Sequence, residues 1–183
     1  MKARMQWTAV PTSDAGLPMF EAPIHEHPVR AILALTALRP EGEPRASWRI
    51  RLPATASIRQ AARMRTRSRL TVSHWRGDID TAARVAGEIT DNAAKHGQPF
   101  SDGCVILRLT VLEVGELLVQ VDDADPCFPN FAPLNVGSLE TLTGLGFAHR
   151  LGAKLDWHML LEDGSPVGKT VQALLPGTWT EAA

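Results

Sequence analysis

In the stretch "GEITDNAAKHG", Glu88 and Asn92 stand at i and i+4 and so point to one side of a helix. A carboxylate there can orient water or accept a proton. An amide oxygen can ligate a hard cation such as Mg²⁺, which keeps several waters and takes few protein ligands beside phosphate oxygens. Val85, Ile89 and Ala93 form the apolar stripe of this helix, and Asn92 and His96 fall beside it. Asn92 then needs an interior partner, and His96 is expected to pack and hydrogen-bond rather than to catalyse. A capping Asn and a solvated Glu fit the same pattern.

A second candidate lies where a run of alternating apolar residues ends in acid. Asp123 continues the face of Leu117, Val119 and Val121, and Asp122 takes its place if the strand slips by one. A carboxylate on that face is costly to bury unless hydrogen-bonded, and the amino group of a purine would satisfy it. An Asp that turns the chain before Pro126 explains the residue equally well. The third candidate is "TGLG": Gly144 and Gly146 allow close backbone approach, and the helix that follows offers N–H groups to a phosphate.

The elements that must position these residues follow from periodicity. Residues 1–45 are broken by six prolines and are expected to form an arm, with only Val29 to Leu38 apolar enough to pack. Residues 46–178 form the domain. Trp48, Ile50 and Leu52 alternate with arginines in strand period, and a helix starts near Ser57. Asp78 or Asp80 caps the next helix, which stops at Gly97. Val105 to Val111 and Leu117 to Val121 make a hairpin around "EVGE". A long irregular stretch, a short helix after Gly146 and a second hairpin around Asp163 to Gly168 complete the chain. Helices segregated from a mixed, mostly antiparallel sheet imply an α+β two-layer sandwich with the helices on one face.

Composition narrows the class. A formal net charge of −1 with 44% hydrophobic and 21% charged residues describes an ordinary globular protein. Direct nucleic-acid binding is therefore not expected, and the arginines from Arg59 to Arg76 read as a solvated face partly balanced by nearby acids. No apolar run reaches membrane-spanning length and the N-terminus lacks a signal-peptide core, so the expected location is the cytoplasm. Cys104 and Cys127 have neither zinc-site nor disulfide spacing. His25 and His27 in the arm do not share a helical face, and no metal site is expected there.

The order of these features is informative: E-x-x-x-N-A-x-x-H-G on a helix, a hairpin strand ending in Asp, a long loop, G-x-G opening a helix, and "GKTV" on a strand. Over Trp48 to Pro176 it resembles the GHKL superfamily of ATPases with their Bergerat-type ATP-binding fold. The branch it suggests is the anti-sigma factor and serine-kinase type. The resemblance implies that Asn92 helps hold Mg²⁺ and the phosphates of ATP, and that Glu88 sits where the family's kinases keep a general base. It implies that Asp123 accepts from the adenine amino group, assisted by Thr170. Gly144 and Gly146 would line the phosphate side, and residues 124–143 would form a lid.

Such a protein would be a dimeric switch that binds MgATP and sequesters a sigma factor or another transcription regulator. An antagonist protein would displace that regulator, and in a kinase would be phosphorylated on Ser or Thr. One departure is visible. The turn after the adenine Asp, often D-x-G-x-G in the family, is here "DADPC", with Asp125 and Cys127 at the glycine positions. It opens a second reading, a protein-interaction module on the same fold that needs no nucleotide.

Overall fold

The computed structural model describes residues 30–31, 38, 40, 42–128 and 144–177. Its elements run β1 (Arg30–Ala31), β2 (Pro44–Pro53), α1 (Ile58–Val72), α2 (Ile79–His96), β3 (Cys104–Leu112), β4 (Leu117–Asp123), α3 (Leu145–Arg150), β5 (Lys154–Glu162) and β6 (Ser165–Leu175). The strands form one sheet in the order β1-β5-β6-β4-β3-β2. Every described pairing is antiparallel, where sequence reading allowed a mixed sheet. β3–β4 and β5–β6 are hairpins, and β2 and β3 become antiparallel neighbours through the connection that carries α1 and α2.

Period two decides the faces. Val105, Leu107, Leu109 and Val111 of β3, Val119 and Val121 of β4 and Val171 and Ala173 of β6 are all fully buried beneath the helices. Ile58, Ala62 and Leu70 of α1 and Val85, Ala86, Ile89 and Ala93 of α2 close this core from above. Asp78 caps α2, its carboxylate accepting from the backbone N–H groups of Asp80 and Thr81 at 2.9 and 3.0 Å. Pro44 and Pro53 are tolerated because β2 is the sheet's edge. No helix among the described residues is long and apolar enough to cross a membrane.

The face away from the helices is polar at its centre. Arg108 Nη2 donates to Asp122 Oδ1 at 2.6 Å, and Thr170 Oγ1 donates to the same oxygen at 2.7 Å. Part of the expected arm lies against this face. Arg30–Ala31 pair with Leu160 and Leu161 of β5, and Leu38 packs on Leu112, Leu118 and Leu174. The Leu38 N–H donates to Asp156 Oδ2 at 2.8 Å, and its carbonyl accepts from Gln172 at 3.3 Å. His25, His27 and the rest of the segment before Arg30 lie outside the described residues.

His158 sits on this face opposite Thr170. Burial, then the nearby Arg108, hold its imidazole below its ordinary value of 6.5, against smaller opposite pulls from Asp122 and Asp156. A lowered folded value means that the stability it contributes is present above pH 6.5 and is lost as pH falls through the folded value. Thermal unfolding between about pH 7 and pH 5 is therefore expected to show a steeper fall in Tm for the wild type than for His158→Gln. Parallel curves would show that the imidazole is not the group responsible.

Candidate functional site

The site is built where the C-terminal turns of α2 meet the ends of β4 and β6. Gly97 follows the last residue of α2, and a Cβ there would lie 2.6 Å from Asp123 Cγ and 2.7 Å from its Oδ1. Gly168 on β6 is tighter: a Cβ would fall 2.1 Å from the Asp123 carbonyl oxygen. The two glycines let helix and strand close on one aspartate. Ala124 N–H donates to Gln98 O at 2.7 Å and ties the end of β4 to the residue after Gly97.

Asp123 is completely buried and faces the helices, while Asp122 faces the opposite side. The alternative register is thereby excluded. Lys169 Nζ donates to Asp123 Oδ1 at 2.8 Å, and the Asp125 N–H donates to the same oxygen at 2.9 Å. Asp123 Oδ2 is buried and has no hydrogen-bond partner among the described residues. Burial pushes this carboxyl above its ordinary range, and the bonds from Lys169 and the Asp125 N–H pull the other way. Lys169 is itself only 2% exposed; its ammonium also donates to the Asp125 carbonyl at 3.0 Å and lies 5.7 Å from the Phe128 ring centre.

Asn92 is half-buried and precedes Gly97 by about 7.5 Å along the helix axis at 1.5 Å per residue. Its Oδ1 lies 3.9 Å from where a Cβ on Gly144 would be, so α2 and the turn into α3 bring these two candidates together. Gly146 is buried in the first turn of α3. Glu88, one turn earlier, is 5% exposed and points at α1, where Arg63 Nη2 meets Oε1 at 3.1 Å and Arg59 Nη2 meets Oε2 at 3.2 Å. Arg59 also binds Asp91 at 2.5 Å, and Lys95 binds Asp91 at 2.8 Å. Burial opposes ionisation of Asp91, but these two bonds prevail and its value is lowered. Three of the six arginines in and after α1 are thus paired with acids, Arg67 reaching Asp80.

Two expectations need correction. Thr170 does not join Asp123: its cross-strand partner is Asp122, on the other face, and Lys169 takes the place beside Asp123. The alternation that aligns Asp123 with Val119 and Val121 also aligns Lys169 with Val171 and Ala173, so the signal for Lys169 was present. His96 is exposed at the end of α2 and does not pack inside. It lies in the last turn of α2. Residues 129–143, which include most of the expected lid, lie outside the described residues.

The donor set can be tested against the expected ligand. An adenine amino group fits Asp123 Oδ2, a buried acceptor lacking a donor among the described residues. The bare backbone of Gly144 beside Asn92 suits a phosphate end. Among the described residues no three His, Cys, Asp or Glu side chains converge as a metal cluster. Any Mg²⁺ would take the Asn92 amide oxygen from α2 and draw its other ligands from phosphate and water.

No family model and no curated protein matches the chain. Among solved structures, the chain is similar to one from the SiaB-SiaC complex of Pseudomonas aeruginosa, with 15% identity, a TM-score of 0.45, and coverage of 70% of this chain and 88% of that one. It is also similar to the histidine kinase domain of the Erythrobacter litoralis EL346 blue-light activated histidine kinase. There the identity is 24%, the TM-score 0.38, and the coverage 74% of this chain and 70% of that one.

Proposed function

We propose that this chain is a GHKL-type regulatory domain that binds an adenine nucleotide and, in response, holds or releases a protein partner. The observation that carries the reading is the fully buried Asp123, whose Oδ2 has no donor among the described residues, set at the end of the helix that also carries Asn92. An orphaned buried carboxylate oxygen costs of the order of 1–3 kcal/mol or more, and a ligand amino group removes that cost. When bound, ATP with Mg²⁺ would supply the charge that Asn92 and the Gly144 turn recognise. The partner in this reading is a sigma factor or another transcription regulator, with an anti-sigma-factor antagonist as competitor and a homodimer as the working form.

Phosphoryl transfer is the narrower claim. A base at Glu88 must shed Arg59 and Arg63 before it takes a hydroxyl proton, because both its oxygens are engaged. We therefore place the protein's primary role in binding and treat kinase activity toward an antagonist as conditional on that release. The Lys169–Asp123 pair favours a second reading, in which Lys169 neutralises the carboxylate from within and partner binding needs no nucleotide.

Thermal unfolding with and without MgATP separates the two. A ligand at about a hundred times its dissociation constant adds about 2.7 kcal/mol, a rise of about 5–10 °C in Tm for a domain of this size. That rise is expected in the wild type and absent in Asn92→Ala and Asp123→Asn. No shift at millimolar MgATP would overturn the first reading and leave the second.

A further inference from the structure

Lys169 is the one lysine or arginine among the buried residues described. Lysine is rarely fully buried unless paired, and on β6 its neighbours on the same face are Val171 and Ala173. Its ammonium is held by Asp123 Oδ1 and by the Asp125 carbonyl, with Asp125 Oδ2 at 3.6 Å and the Phe128 ring over it. Oδ1 thus already has two donors, from Lys169 and from the Asp125 N–H, whereas Oδ2 has none among the described residues. The lysine side chain is buried beside the carboxylate that this reading gives to the base. Gly97 lies close against the carboxylate from the helix side, and Gly168 against the backbone carbonyl of the same residue.

We propose that Lys169 is an internal competitor for Asp123 that sets how tightly this site holds an adenine base. The inference rests on the reading of Asp123 as the base acceptor. With Lys169 present, a ligand amino group meets a carboxylate half committed to an intramolecular ion pair and a space partly filled by the side chain. With a short hydroxyl side chain at this position, Oδ1 keeps the Asp125 N–H and regains one acceptor position, and the stem's volume is vacated. A hydrogen bond to a charged acceptor contributes about 1.5–3 kcal/mol, so the gain in affinity is about tenfold to a hundredfold.

The test is calorimetric titration of MgADP into the full chain as wild type, Lys169→Thr, Asp123→Asn and the double variant. Lys169→Thr is expected to bind about tenfold or more tightly than wild type, and Asp123→Asn in the same background is expected to erase the gain. Because loss of the ammonium also destabilises the fold, unfolding midpoints are recorded for each protein. Lys169→Gln serves as a second variant: its amide N–H can still donate to Oδ1 while the charge is gone, and its gain should be smaller, about threefold. Folded variants that bind no more tightly than a binding wild type would overturn the role of Lys169 and leave the nucleotide site standing. Absence of MgADP binding in every protein, wild type included, would overturn the site reading and this inference with it.

Discussion

Lys169→Ala is expected to lower the free energy of unfolding by about 3–5 kcal/mol, because it leaves a buried carboxylate without its counter-ion. Asp123 has no solvent exposure and, among the described residues, would retain only the Asp125 N–H as donor. Urea unfolding near neutral pH measures the loss, and a change below about 1 kcal/mol would contradict the buried-pair account. Neutralising both partners, as Asp123→Asn with Lys169→Met, is expected to recover most of the stability. A paired apolar or amide replacement of similar volume carries no unmatched charge. The sign with pH provides a further check. Burial already raises the Asp123 value, and a group with a raised folded value contributes stability below its unfolded value of 3.8 that is lost as pH rises through the folded one. In Lys169→Ala the pull of the ammonium is gone, so the deficit should shrink on acidification as Asp123 takes up a proton.

Gly168→Ala is expected to cost about 3 kcal/mol, seen as a fall in Tm of about 6–12 °C. The added methyl would lie 2.1 Å from the Asp123 carbonyl oxygen and 3.2 Å from Ala124 Cα. The nearest contact is backbone and cannot rotate away. Relief requires β6 to part from β4 at the pair Asp123–Lys169, next to the ion pair itself. Loss of MgATP stabilisation should accompany the loss of Tm if Asp123 reads the base. A variant with wild-type Tm would mean that the strands separate there at little cost.

These two effects meet at one point on the sheet, and they show how differently the site's parts were encoded. The helix with Glu88 and Asn92, the hairpin ending in Asp123 and the turn at Gly144 were all legible in the sequence. Backbone geometry imposes periods of 3.6 and 2 on neighbouring residues, and capping residues and turn glycines act within a few positions of themselves. Asp78 as the cap of α2 and the helix end at Gly97 follow from such local rules.

What the tertiary structure decided is which side chains meet across long stretches of chain. Alternation placed Asp123 on the apolar face but left Asp122 open, because a one-residue slip exchanges the faces; the pairing of β4 with β6 removed that freedom. The same pairing carried Thr170 to Asp122 and Lys169 to Asp123. The guanidiniums on Glu88 come from a different helix, and nothing in the spacing of Glu88 and Asn92 announces them. His96 shares the helical phase of buried residues yet is exposed in the last turn of α2, and helical phase alone does not announce this. Local order is set by bonds between near neighbours. The charge state and occupancy of the site are set by contacts that exist only once the sheet has closed.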